Sequence, residues 1–225
     1  MQTQKIYLVI SIATIFLVGH TAFGNGDNKS LPYPYNTITV LPFDSTGFFG
    51  KRQADGLSYL IARYKPKIVV EIGSYLGAST RFIAKLLPES GRVYAVDHWM
   101  GSDEWKDKPN FKEMQSLFYQ KFLSNVIHEK LWHKIIPMRM HSLEAAKIIA
   151  VTPDFVFIDG AHDYQSVYND ICAWSKRVSP NGVLCGDDYN WGRGDSVKRA
   201  VNKFAEEHAL EVKLFHNYFW YYEKK

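Results

Sequence analysis

Phe155-Val-Phe-Ile-Asp159-Gly-Ala-His162-Asp-Tyr164, answered further on by Val183-Leu-Cys-Gly-Asp187-Asp188-Tyr189, decides the fold of this chain. Each half is an apolar run that stops on carboxylates. A short apolar run without alternation reads as a strand buried on both faces, the kind that parallel sheets require. In open α/β sheets, ligands sit beyond the carboxyl ends of such strands. The two runs therefore bring three carboxylates and one imidazole to one rim. Carboxylates so close repel one another unless something positive lies between them. A divalent cation is the simplest candidate, with His162 beside it as a candidate base.

Working outward, strand and helix patterns alternate. A helical stripe over Gln53–Tyr64 ends at Pro66, and Lys67-Ile-Val-Val-Glu71-Ile-Gly73 is a short buried strand. Ala78–Leu87 is a helix and Arg92–Asp97 the second strand. Trp99–Asn110 is a polar and aromatic loop, long enough to be a lid. A helix follows from Phe111 to about Ile127. Lys134–Met138 is a weak third strand, because Pro137 suits only an edge. Ser142–Ala150 is a short helix with Ser142 as its expected N-cap. Asp163–Val178 is the clearest helix, with Tyr164, Val167, Ile171, Trp174 and Val178 on one stripe. After the second motif come a helix over Asp195–His208 and two strands near Glu211–Phe215 and Tyr218–Tyr222. The pattern predicts an α/β fold: one Rossmann-like, doubly wound, mostly parallel sheet with helices on both faces and an antiparallel C-terminal edge.

With 225 residues and 46% hydrophobic content, the chain suits one α/β domain, expected over 51–225. Its net charge of +4 comes with no basic run, which gives no argument for a nucleic-acid partner. Cys172 and Cys185 lack metal-ligand spacing and read as packed thiols. Aromatics reach 15% and gather in Leu31–Phe49, Trp99–Phe118 and Phe215–Tyr222. They fit either loops over a small-molecule pocket or clamps on the fold. Residues 25–50 read as an extended arm. Ile6–Gly19 is almost continuously apolar after Lys5, and Thr21-Ala22-Phe23-Gly24 follows with cleavage-site spacing. Residues 1–24 thus read as a signal peptide or, second, an uncleaved anchor with membrane contact through 6–19; the chain is expected to be exported or membrane-anchored.

The other rim motif is Glu71-Ile-Gly73-Ser-Tyr-Leu-Gly77-Ala-Ser79-Thr80, with Asp97 ending the next strand 26 residues on from Glu71. Glycine lets a backbone turn tightly and approach a ligand closely, and an acid after the following strand can accept both ribose hydroxyls. A carboxylate just before the turn repels phosphate and suits an amine. That tilts the nucleotide from NAD toward S-adenosylmethionine (SAM). The plain alternatives are a strand-end salt bridge for Glu71 and a turn cap for Asp97.

Taken together, Glu71-x-Gly73-x-x-x-Gly77-x-Ser79-Thr80, Val96-Asp97-x-Trp99, Ile158-Asp159-Gly160-x-His162-x-Tyr164 and Gly186-Asp187-Asp188-Tyr189 resemble the class I SAM-dependent methyltransferases. More narrowly, they resemble the methyltransferase domain 24 group, related to metal-dependent catechol-type and macrolide-sugar O-methyltransferases. The resemblance covers roughly residues 50–210. It implies a cofactor site of Glu71 (amine), Asp97 (ribose), Gly73, Ser74, Gly77, Ser79, His98, Ser142 and Asp159. It implies Asp159, Asp187 and Asp188 as ligands of Mg²⁺ or Mn²⁺, and His162 as the base. Catechol-type relatives carry Asp-Asn where this chain has Asp187-Asp188, and a lysine base near His162. Those departures favour sugar hydroxyls among small-molecule acceptors. Trp191 and Arg193 are candidates to frame the acceptor.

Two other classes stay open. A metal-dependent hydrolase on the same fold explains the carboxylates but not Glu71. A non-catalytic exported binding domain explains the N-terminus, whereas a need for SAM favours access to the cytosol.

Overall fold

The computed structural model describes residues 28–102, 106–107, 109–192 and 194–224. The expected targeting segment 1–24 with its stretch 6–19, Arg193, and part of the expected lid lie outside the described residues. Among those described, no helix is long and apolar enough to cross a membrane.

The elements run α1 (Lys51–Tyr64), β1 (Ile68–Ile72), α2 (Ala78–Leu86), β2 (Arg92–Asp97), α3 (Phe111–His128), β3 (Ile135–Arg139), α4 (Ser142–Ile148), β4 (Phe155–Ile158), α5 (Tyr164–Ser175), β5 (Val183–Gly186), α6 (Ser196–Glu207), β6 (Leu210–Phe215) and β7 (Phe219–Lys224). The sheet order is β3-β2-β1-β4-β5-β7-β6. The first five strands pair in parallel, and β7 is antiparallel to both β5 and β6. The order reverses between β1 and β4, which makes their carboxyl ends the switch point where a cleft opens.

Strand alternation sorts side chains onto two cores. Val69, Val93, Phe155, Phe157, Val183 and Cys185 pack with α1, α2 and α3 on one face. Val70, Val96, Val156, Ile158 and Leu184 pack with α4, α5 and α6 on the other. Every residue of β4 and β5 is buried, as the continuous apolar runs required. β3 is an edge strand, which is how Pro137 is tolerated opposite Ala95. At the other end His216 and Asn217 take left-handed backbone and fold β7 back on β6.

Residues 28–50 form an arm with one helical turn at Tyr35–Thr37. The arm lies on α3, which reads its backbone with a single polar face. Gln120 donates to Thr39 O, Ser124 accepts from Leu41 N–H, Asn125 accepts from Asp44 N–H, and the His128 ring bonds Leu41 O. Several of the clustered aromatics are clamps, since Tyr35, Trp99, Phe219 and Trp220 are wholly buried, whereas Tyr33 and Phe48 of the first cluster are exposed. One expectation needs correcting. His141, not Ser142, is the residue that precedes α4, and it makes no side-chain cap. The Ser142 hydroxyl instead turns to α5, accepting the Trp174 indole N–H at 2.7 Å and bonding the buried Asp170.

Packing at the sheet's end leaves no room at Gly186. A Cβ there would lie 2.4 Å from Ile158 O and 2.5 Å from the Trp220 ring. Gly186→Ala should therefore destabilise by ~1–3 kcal/mol through overpacking, read as a lowered denaturant midpoint. An unchanged midpoint would mean that β5 and β7 are looser than described.

Candidate functional site

Two backbone contacts at the switch point bring the motifs together. Gly73 leaves β1 with φ of 89°, and a Cβ on it would lie 2.1 Å from Asp159 O. Only glycine lets the end of β1 press against the end of β4 there. Gly77, with φ of 79°, starts α2 against the Phe122 ring.

Glu71 lies inside this loop and is wholly buried. Strand alternation points it to the α2 face, where its Oε2 accepts the hydroxyls of Ser74, at 2.7 Å, and Thr80. Ser79 bonds it as well. Burial raises its pKa, and the three hydroxyls oppose the rise. Its Oε1 has no partner. Glu71 thus braces the loop with one oxygen and leaves the other for a donor. Thr80 was visible in the motif, but its role as a brace was not.

Asp97 holds the far side of the loop. Its Oδ2 accepts Tyr75 N–H at 2.9 Å and its Oδ1 accepts Trp99 N–H at 2.6 Å. Burial raises this pKa, and those amides counter it. His98 follows, half-exposed, with its ring 4.9 Å from that of His141. The structure brings Glu71, Gly73, Ser74, Gly77, Ser79 and Asp97 into one loop system. Ser142 is committed to α5.

Asp159, Asp187 and Asp188 converge so that one ligand atom from each lies within 4.8 Å of the others. With His162 and Trp220 they line a small cavity. Asp188 reaches it in a left-handed conformation, φ 61°, which aspartate tolerates better than most residues. The Trp220 indole N–H pins Asp187 O at 3.0 Å. Burial, then the charges of Asp187 and Asp188, push the Asp159 carboxyl well above the usual range. Burial and then Asp188 push Asp187 up to about 6. Both Asp187 oxygens are buried with no donor in good hydrogen-bonding geometry, although the Gln53 amide and the Asp188 N–H lie near enough to oppose the rise in its pKa. A hard cation fits such an all-oxygen set, since it would satisfy those oxygens and relieve the repulsion. His162 Nε2 lies 3.0 Å from Asp188 Oδ2, and its ring packs against Trp191, tilted by 36°, with centroids 4.2 Å apart. Arg52, from the first turn of α1, adds positive charge at Asp159 and Asp187 and lies 4.0 Å over the Tyr218 ring. No motif pointed to Arg52, because nothing in the sequence shows which helix end meets the rim.

The chain belongs to a family of methyltransferase domains, whose model matches residues 70–189. That span runs from β1 to just past the Asp187-Asp188 pair. Solved structures share the fold. An O-methyltransferase from Bacillus cereus in complex with SAH superposes with TM-score 0.57 at 17% identity, covering 84% of this chain and 87% of that one. The O-methyltransferase TomG from Streptomyces achromogenes, involved in tomaymycin synthesis and in complex with SAM, gives TM-score 0.55 at 16% identity, covering 79% and 82%. A methyltransferase from Geobacter sulfurreducens gives 0.52 at 14%, covering 79% and 80%. No curated protein matches in sequence.

The raised Asp187 carboxyl has a consequence for stability. An acid that binds its proton more tightly when folded loses stability as pH rises from its unfolded value, about 4, through its folded value of about 6. The shift of roughly two units corresponds to at most about 3 kcal/mol. In chelator, the melting temperature should fall across that window for this reason. Asp187→Asn should remove much of that fall and melt higher than wild type at pH 8. The same variant should lose the melting-temperature rise that Mg²⁺ or Mn²⁺ gives wild type. A variant that melts lower in chelator, or still responds fully to the ion, would contradict a strained carboxylate site.

Proposed function

We propose that this methyltransferase-family protein transfers a methyl group from SAM to a hydroxyl oxygen of a small molecule or sugar, assisted by Mg²⁺ or Mn²⁺. One observation carries the reading. Two buried Asp187 oxygens, neither with a donor in good geometry, stand beside two further carboxylates and an imidazole, next to the glycine loop of β1. Asp159, Asp187 and Asp188 would hold the cation. The Gly73–Gly77 turn, Ser79, Asp97 and the open Oε1 of Glu71 would hold SAM, with His98 at the ribose side. The SAH- and SAM-bound relatives support that cofactor.

When bound, the sulfonium supplies the methyl group, and the cation lowers the pKa of a nearby hydroxyl and orients it. The chain's own residues do the rest. His162 takes the hydroxyl proton. Asp188 holds the imidazole in place through Nε2. Trp191, packed against His162 and 42% exposed, offers an apolar wall beside the site. A sugar ring can lie against such a wall, in keeping with the Asp-Asp pair and histidine in place of Asp-Asn and lysine. Much of the acceleration comes from holding donor and acceptor in line.

Titration calorimetry should show SAM or SAH binding to wild type. Asp97→Ala should bind them about 10- to 100-fold more weakly, given roughly 1.5–3 kcal/mol for a hydrogen bond to a charged group. With sugar and catechol hydroxyls as trial acceptors, chelator should abolish methyl transfer. His162→Ala should keep SAH and Mn²⁺ binding yet lose ~10²–10⁴-fold in the chemical step. NADH binding in place of SAM, or full turnover in chelator, would overturn the reading.

A further inference from the structure

Asn125 sits in the last turn of α3 among Phe122, Leu123, Val126 and Ile127, and like them it is wholly buried. A buried amide must be bonded on both sides or it costs stability. Its Oδ1 accepts the Asp44 N–H at 2.9 Å. Its Nδ2 donates to Asp44 O at 3.0 Å and to Leu76 O at 2.9 Å. Asp44 belongs to the N-terminal arm. Leu76 lies in the turn between Gly73 and Gly77. One side chain therefore bonds the arm's backbone and the cofactor loop's backbone together.

Independent contacts join the same two segments. Arg81 donates to Leu76 O at 2.8 Å while its guanidinium lies 5.2 Å from the Phe43 ring centroid. Phe48 of the arm packs on Tyr75 of the loop with centroids 5.9 Å apart, and Phe49 packs on Phe82 of α2 at 4.9 Å. Asp44 is further held by Lys121 at 2.8 Å. Tyr75 in turn takes the loop to Asp97 through its N–H, and to Trp99 through its carbonyl. A shift of the arm at Asp44 thus reaches the loop at Leu76 through one rigid amide.

We infer that Asn125 is a positioning residue that couples docking of the arm to binding of SAM. The inference rests on the SAM reading of the loop. Coupling between two sites is reciprocal. If the docked arm holds the loop in its binding shape, cofactor must in turn hold the arm. Ser124, the neighbour that accepts the Leu41 N–H at 2.9 Å, touches the arm but not the loop, so it separates arm docking from the link.

SAH is the probe. In wild type, saturating SAH should slow hydrogen exchange of the amides over residues 41–46 by about tenfold or more, although those residues lie outside the proposed cofactor-binding set. Asn125→Ala should bind SAH about tenfold more weakly while its Mn²⁺ affinity stays within about twofold, and SAH should no longer slow exchange in the arm. Ser124→Ala should bind SAH as wild type does. A general loss of packing would weaken SAH and Mn²⁺ together, or weaken SAH equally in both variants, and either result overturns the inference. So would wild-type arm exchange indifferent to SAH, a test that needs no variant to fold. If wild type binds no SAH at all, it is the SAM reading that fails. If SAH binds and arm and loop respond separately, the coupling alone fails.

Discussion

Like-charge repulsion among Asp159, Asp187 and Asp188 is the constraint around which the rim is built. Left free, three carboxylates would separate or take up protons. Here the backbone denies them the first course. Gly73 wedges the end of β1 against Asp159 O, and Gly186 lets β5 lie hard against Ile158 and Trp220. The Trp220 indole fixes Asp187 from β7, and a left-handed Asp188 turns its side chain into the same cavity. Every one of those contacts belongs to the packed sheet, so the acids cannot relax without disturbing the core. Burial then raises Asp159 and Asp187, and the charge of Arg52 only partly offsets it. Strain of this kind is what a functional site stores when the surrounding fold over-determines it.

A few ångströms away, the cofactor end is built on the opposite plan, with nearly every polar atom partnered. Glu71 takes three hydroxyls, Asp97 takes two backbone amides, and Leu76 O takes both Asn125 and Arg81. A loop braced this way is pre-organised and spends little of a ligand's binding energy on ordering itself. The contrast suits the proposed division of labour. A braced, preformed cradle would hold the methyl donor, and a crowded carboxylate cluster would await a cation and a hydroxyl.

Most of the fold was legible because its signals are local. Apolar runs that end on Asp97, Asp159 and Asp187 announce buried strands and their carboxyl edge at once. The stripe through Tyr164, Val167, Ile171 and Trp174 is the amphipathic helix expected there, although it ends at Ser175 and not at Val178, and Asp163 caps it through the Ser166 N–H. What escaped the reading depends on long-range partners. Ser142 has an N-cap's chemistry, yet its hydroxyl is claimed by Trp174, 32 residues away. Ser124 and Asn125 look like solvent-facing interruptions of an apolar helix, but they are buried because the arm, some 80 residues earlier, lies over them. Trp99 resembles a lid residue and is instead packed between Tyr119 and Phe122. In each case a polar or aromatic side chain has two roles open to it, and only the tertiary neighbour decides which one it takes.

Anomalous diffraction from crystals grown with Mn²⁺ and SAH would test the central claim most directly. The account predicts one strong manganese peak at coordinating distance from carboxylate oxygens of Asp159, Asp187 and Asp188, with SAH lying along the Gly73–Gly77 turn and His162 facing the space between them. Manganese bound elsewhere, or SAH seated in the turn while the three carboxylates hold no ion, would contradict it.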